Sequence, residues 1–193
     1  PLLTQEDHPK HREFVLTGRE RHTHARPDNL GYPARAIRTE DFLYVYNFDP
    51  DRWPAGDPVP KNSENDKRNS VSGFKGLYPG YHDVDPSPSK TIVMELENLQ
   101  DNKSLFNLAF AKRPQSQLYD IKSDPYCMID LSNDVKFKSI KNKLHNQLIK
   151  ALKAQGDPRA FGNPIFDSYP RYSSMRNFPG FNIRGTYNEK LVK

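Results

Sequence analysis

One cysteine, Cys127, stands in the 193 residues, which excludes an internal disulfide and a zinc site built on cysteine. Long apolar runs are missing as well: none approaches the roughly 18 residues that a membrane-spanning helix needs. Apolar side chains make up only 35% of the chain and the mean hydropathy is −0.89, so the core is small for the length. Seventeen prolines and ten glycines imply much irregular chain. What the sequence has instead is rings, with eleven Phe, ten Tyr and one Trp, each able to bury a large area.

The net charge of +5 and the pI near 9.2 favour acidic partners: a sulfated or carboxylated glycan, nucleic acid or an anionic surface. A merely solvated basic surface accounts for the same excess. The N-terminus, Pro1-Leu2-Leu3-Thr4-Gln5-Glu6-Asp7, has no initiator Met, no basic leader and no apolar signal segment. It reads as a cut through a longer protein, with any signal peptide upstream.

The organisation is α+β. Strands are expected at 13–18, 32–39, 41–48 and 118–121, rich in β-branched and aromatic residues, with Thr39-Glu40-Asp41 short enough for a hairpin. Residues 49–90 are dominated by Pro, Gly, Asp, Asn and Ser, and Trp53 reads as the anchor of this long loop. Residues 91–96 fit either a short helix or a short strand, and 102–111 a helix ended by Lys112-Arg113-Pro114. The strongest pattern lies at 134–154, where Phe137, Ile140, Leu144, Leu148, Ala151 and Leu152 recur at helical spacing. Asn133 or Asp134 can cap this helix, and Gly156 with Pro158 stops it. Burial of its five large apolar side chains is worth at most roughly 1.5–3 kcal/mol each. Residues 1–158 are read as one subdomain. Residues 159–193 form an irregular aromatic tail, with Phe161, Phe166, Tyr169, Tyr172, Phe178, Phe181 and Tyr187, that is expected to wrap over other protein.

The densest chemistry lies between the first two strands. Arg19, Arg21 and Arg26 with His22 and His24 place three guanidiniums and two imidazoles within eight residues. Arginine gives bidentate contacts to carboxylate or sulfate, and neutral histidine hydrogen-bonds sugar hydroxyls. These five are the candidate substrate-binding residues. The same stretch also fits a solvated basic loop, and His22 with His24 could be a metal pair, although no cysteine or clear third ligand accompanies them.

Leu118-Tyr119-Asp120-Ile121, the Ser123-Asp124-Pro125 turn, Leu131 and the long amphipathic helix together resemble the C-terminal subdomain of the type I sulfatases. Cys127 stands where that family usually has Glu, and Asp130 where it usually has Asn. The blocks at 19–24, 32–39, Asn47-Phe48 with Asp51-Arg52-Trp53-Pro54, Leu108-Ala109-Phe110 and Lys112-Arg113-Pro114 resemble the heparan N-sulfatase branch, so that the similarity spans roughly residues 10–160. Asp28-Asn29 superficially resembles the family's metal-binding Asp-Asn pair, but Arg26-Pro27 before it and Leu30-Gly31 after it do not match.

The resemblance implies a domain that completes the substrate pocket of an enzyme removing sulfate esters or N-sulfate from glycosaminoglycan-type saccharides. The family's nucleophile is a formylglycine made from Cys or Ser in a Cys/Ser-x-Pro/Ala-x-Arg motif, which this sequence lacks. Formylglycine and Ca²⁺ are expected in a preceding catalytic domain of about 300 residues, an estimate beyond ordinary domain length. This chain alone is then inactive and its partners are that domain and a sulfated or acidic saccharide, with no nucleic acid and no membrane span. Such enzymes are secreted, periplasmic or lysosome-like. The rival readings are a stand-alone polyanion-binding module without catalysis and a purely structural subdomain.

Overall fold

The computed structural model describes residues 12–22, 25–58, 80–96, 103–170, 172, 183, 185–188 and 191. His24, residues 59–79 of the long loop and the tail rings Phe178 and Phe181 lie outside the described residues. Four strands, β1 (Val15–Arg19), β2 (Ala34–Arg38), β3 (Phe42–Asn47) and β4 (Ser116–Asp120), form one antiparallel sheet in sequential order. β2 and β3 are shorter than their sequence readings because their outer residues leave the ladder for turns, whereas β1 gains Arg19, and β4 starts two residues earlier because Ser116 and Gln117 pair with Tyr46 and Val45. Thr39 makes the β2–β3 turn: its hydroxyl accepts from the backbone N–H groups of Asp41 and Phe42.

Three helices follow the sheet hairpin in the chain. Of residues 91–96, ambiguous in sequence, 91–95 belong to helix α1 (Pro88–Glu95) and Leu96 caps its end; its start is fixed by Pro88 and by the Ser87 side chain accepting from the Lys90 N–H. Helix α2 (Lys103–Ala109) ends before Lys112-Arg113-Pro114. Helix α3 (Lys138–Ala154) is preceded by a 3-10 turn, Val135–Phe137, capped by Asp134. Its stop uses Gly156 at φ 73°, a left-handed conformation in which the Asp157 N–H returns to the Leu152 carbonyl.

Pleating explains the main core. The register aligns Leu16, Ile37, Tyr44 and Leu118 across the sheet, so they share one face, and against it lie Leu144, Leu148 and Leu152 of α3. Ile37, Leu118 and Leu148 are fully buried. The Tyr44 hydroxyl, carried into this core, meets Nδ1 of His145 at 3.0 Å, and burial pushes the phenol up to about 12. A second cluster, Ala55, Tyr81, Met94, Phe106 and Phe110, is packed by α1, α2 and the loop after β3. Trp53 joins it as the expected anchor, its ring 5.5 Å from that of Tyr81.

The beginning of the aromatic tail packs on this same chain. After two 3-10 turns, Pro158–Phe161 and Ile165–Ser168, it delivers Arg159 and Asp167, both buried, to the end of the sheet. No helix among the described residues is long and apolar enough to cross a membrane.

Leu148→Ala is expected to cost about 2–5 kcal/mol in urea unfolding, because it empties the centre of the sheet–helix core. Lys143→Ala, on the solvent side of α3, is expected to change stability by less than about 0.5 kcal/mol. Equal small effects would show that α3 is not docked through this stripe.

Candidate functional site

β1 ends at Arg19, paired with Ala34 at the start of β2, so everything between them is displayed at one end of the sheet. The chain reverses there through Asp28 and Asn29, both at positive φ, which Asp and Asn tolerate better than other residues. Asn29 is buried, its Nδ2 donating to the Tyr169 carbonyl and its Oδ1 accepting from Arg21. These bonds give the Asp-Asn pair a structural task. Among the described residues no group of three or more His, Cys, Asp and Glu could hold a metal ion.

The five candidate residues part company. Arg26 is 2% exposed, with Nε donating to the Trp53 carbonyl and Nη2 donating to the Pro54 carbonyl and to Asp83, each at 2.8 Å. Burial lowers its pKa, opposed by the Asp83 carboxylate. Arg21 faces inward too, donating to Asn29 and to the Phe166 carbonyl. Arg19 keeps about half of its side chain in solvent, 51%, with Nη2 at 3.5 Å from Asp83. His22 is exposed, and His24 lies outside the described residues.

Beside Arg19 opens a cleft of about 310 Å³, bounded by Tyr32 and Ala34, the Pro54-Ala55 turn, Asp83-Val84 and, from the end of α2, Ala109 and Arg113. Two guanidiniums, those of Arg19 and Arg113, therefore line it, with the Asp83 carboxylate buried in its wall. Arg113 is held by donating to the carbonyls of Asn107 and Leu108, which end α2. Arg26 lies behind the cleft, gripping Asp83 and the Pro54 carbonyl, so it fixes the wall without lining it. Tyr32 is 5% exposed, its hydroxyl has no hydrogen-bond partner among the described residues, and burial pushes its pKa up to about 12. It stays a neutral phenol. Nη1 of Arg26 is likewise buried and unpartnered among the described residues, with that guanidinium 5.7 Å from the Tyr32 ring centre.

Sequence reasoning placed Arg113 in a helix-ending block and gave Asp83 no role. The basic residue just past a helix was the available signal for Arg113, since such a side chain reaches the last carbonyls. Asp83 had none, because its partner Arg26 is 57 residues away.

A second charged cluster holds the site's far side. Glu20 accepts from Arg35 at 2.7 Å and from Arg159 at 2.8 Å, while Arg35 also grips Asp157 at 2.6 Å. Asp167, fully buried, accepts from Arg52, from Arg159 and from the Gly31 N–H. Arg35 needs the open space over β1: a Cβ at Gly18 would lie 2.8 Å from its Cδ.

No protein-family model matches this chain, and no curated protein sequence does.

Burial alone raises the pKa of Asp167, but the bonds from Arg52 and Gly31 and the charges of Arg159 and Arg52 outweigh it, leaving the carboxyl below its ordinary value. A depressed carboxylate contributes stability above about pH 3.8 that is lost as pH falls through the folded value. Asp167→Asn is therefore expected to destabilise the chain by about 3–5 kcal/mol at pH 7, since buried guanidiniums lose their counter-charge. The deficit is expected to narrow below about pH 4 in acid unfolding followed by circular dichroism. A deficit independent of pH would contradict the ionised role of Asp167.

Proposed function

We propose that this chain is the C-terminal, pocket-completing domain of a type I sulfatase acting on glycosaminoglycan-type saccharides, with the cleft beside Arg19 as its contribution to substrate binding. What carries this reading is a convergence. The sequence blocks that resemble the heparan N-sulfatase branch are scattered over about a hundred residues, yet each sends residues to this one cleft: Arg19, Tyr32 with Ala34, Pro54, Ala109 and Arg113. The sheet order and the docked terminal helix agree with the architecture that the resemblance implies.

Arg19 and Arg113 are the cations available to an acidic or sulfated sugar, while the Asp83 carboxylate, buried against Arg19 and Arg26, braces the cleft wall. Arg21 and Arg26 position the wall. Hydrolysis belongs to a preceding domain, which would hold Ca²⁺ and the formylglycine; no residue of this chain is assigned to either. The purely structural reading is favoured by one observation, the inward bonding of Arg21 and Arg26.

In the complete enzyme, Arg19→Gln is expected to lower kcat/KM for a sulfated disaccharide about 10- to 1,000-fold, or roughly 1.4–4 kcal/mol of transition-state binding. A small aryl sulfate, which cannot reach these contacts, is expected to be hydrolysed nearly as before. Unchanged disaccharide kinetics in both Arg19→Gln and Arg113→Lys would leave the domain a brace. The chain by itself is expected to turn over neither substrate with Ca²⁺ present, and turnover by a pure preparation would overturn the shared-pocket reading.

A further inference from the structure

The solvent side of α3 is charged in one sense only. Its 17 residues include five lysines and no aspartate or glutamate. Lys141 turns aside to donate to the Ser132 carbonyl. Lys138, Lys143, Lys150 and Lys153 are all exposed, and among the described residues none of them enters an ion pair. At about 100° per residue Lys143, Lys150 and Lys153 fall on the half of the helix opposite Leu144, Leu148 and Leu152, with Lys138 at the flank of that half, and at 1.5 Å per residue the four span about 22 Å of its axis.

This arrangement carries a local electrostatic cost. An exposed helix ordinarily offsets lysines with acids three or four residues away, whereas Lys150 and Lys153 face each other as like charges. Lys138 adds a cation at the positive end of the helix dipole. The acids that flank the helix give no relief: Asp134 caps the preceding turn, and Asp157 is held by Arg35. The counter-charge for the lysine row is missing from the described chain.

We propose that this face of α3 is a docking surface for a linear sulfated polysaccharide, separate from the cleft beside Arg19. Lys143, Lys150 and Lys153 follow one side of the helix, as sulfates follow an extended glycan, and Lys138 flanks them at its first turn. Between them Ser139, Asn142 and Asn146 are exposed and offer neutral donors and acceptors suited to sugar hydroxyls. Nucleic acid fits less well. The exposed face has no arginine for bidentate phosphate or base contacts and no aromatic ring for a base to stack on. The proposal goes beyond the sulfatase reading and stands whether or not the cleft binds substrate.

The test uses the 193-residue chain and a heparin-derived hexasaccharide, with binding measured calorimetrically at two salt concentrations. Replacing Lys138, Lys143, Lys150 and Lys153 together with Gln is expected to weaken binding at least about tenfold at low salt and to flatten its salt dependence. A control that removes the same charge through Arg12, Arg38, Lys112 and Lys122 is expected to bind almost as the parent does. Equal loss in the charge-matched control would reduce the effect to net charge and overturn the proposal. Unchanged binding in the α3 variant would overturn it as well. Amide shift mapping on the unsubstituted chain gives a second reading that does not depend on the variants folding: shifts gathered along α3 support the surface, and an unshifted α3 rejects it. A single-stranded oligonucleotide of equal charge binding as tightly as the hexasaccharide would overturn the choice of glycan.

Discussion

The carboxylate of Asp167 is the constraint on which the rest of this structure hangs. It is fully buried and takes hydrogen bonds from Arg52, Arg159 and the Gly31 N–H, so three distant pieces of chain meet at one charge. Desolvating a lone carboxylate is costly, and this one is tolerated because its oxygens are fully used. Arg159 passes the connection to Glu20, and Arg35 extends it to Asp157 at the end of α3. The helix that closes the core and the turn that carries the basic stretch are thereby held in one network.

That network explains why a chain with so little apolar content keeps a defined end to its sheet. The two apolar clusters are small and lie apart in the fold, one between sheet and α3 and one under α1 and α2. The turn region between β1 and β2 belongs to neither. It is fixed by polar bonds, Arg26 to the Trp53 and Pro54 carbonyls and Asn29 to Tyr169, whose directionality sets the walls of the cleft more sharply than apolar contact would. Under the proposed function that rigidity would favour recognition, because a wall that need not be ordered on binding costs less affinity.

Cations in this protein fall into two populations separated by burial. Arginines are concentrated in the buried set, where a planar fork meets two oxygens at once and a weakly hydrated ion loses less on leaving water. Lysines fill the exposed face of α3, where a compact hydrated charge is held on a flexible stem. Arg19 and Arg113 stand between these sets, partly restrained and partly open to solvent. Such a position suits residues that must be oriented and still reach a ligand.

Local chemistry was enough to read the body of α3 and its stop at Gly156 (though not the 3-10 turn at its start), the β2–β3 hairpin around Thr39, and the Trp53 anchor, because each depends on spacing or on a residue's own conformational preference. The fate of the basic stretch was not legible. Whether a guanidinium binds ligand or stays inside depends on a partner that sequence does not rank: Asp83 lies 57 residues from Arg26, and Phe166 lies 145 from Arg21. The same holds for Arg113 and for the tail, whose buried Arg159 and Asp167 draw its first turns onto this chain. Sequence by itself determined the four strands, their order, the long terminal helix and the supply of charge; tertiary structure alone decided which charges neutralise one another inside and which stay open to solvent, since that choice is made by long-range ion pairing in a low-dielectric interior.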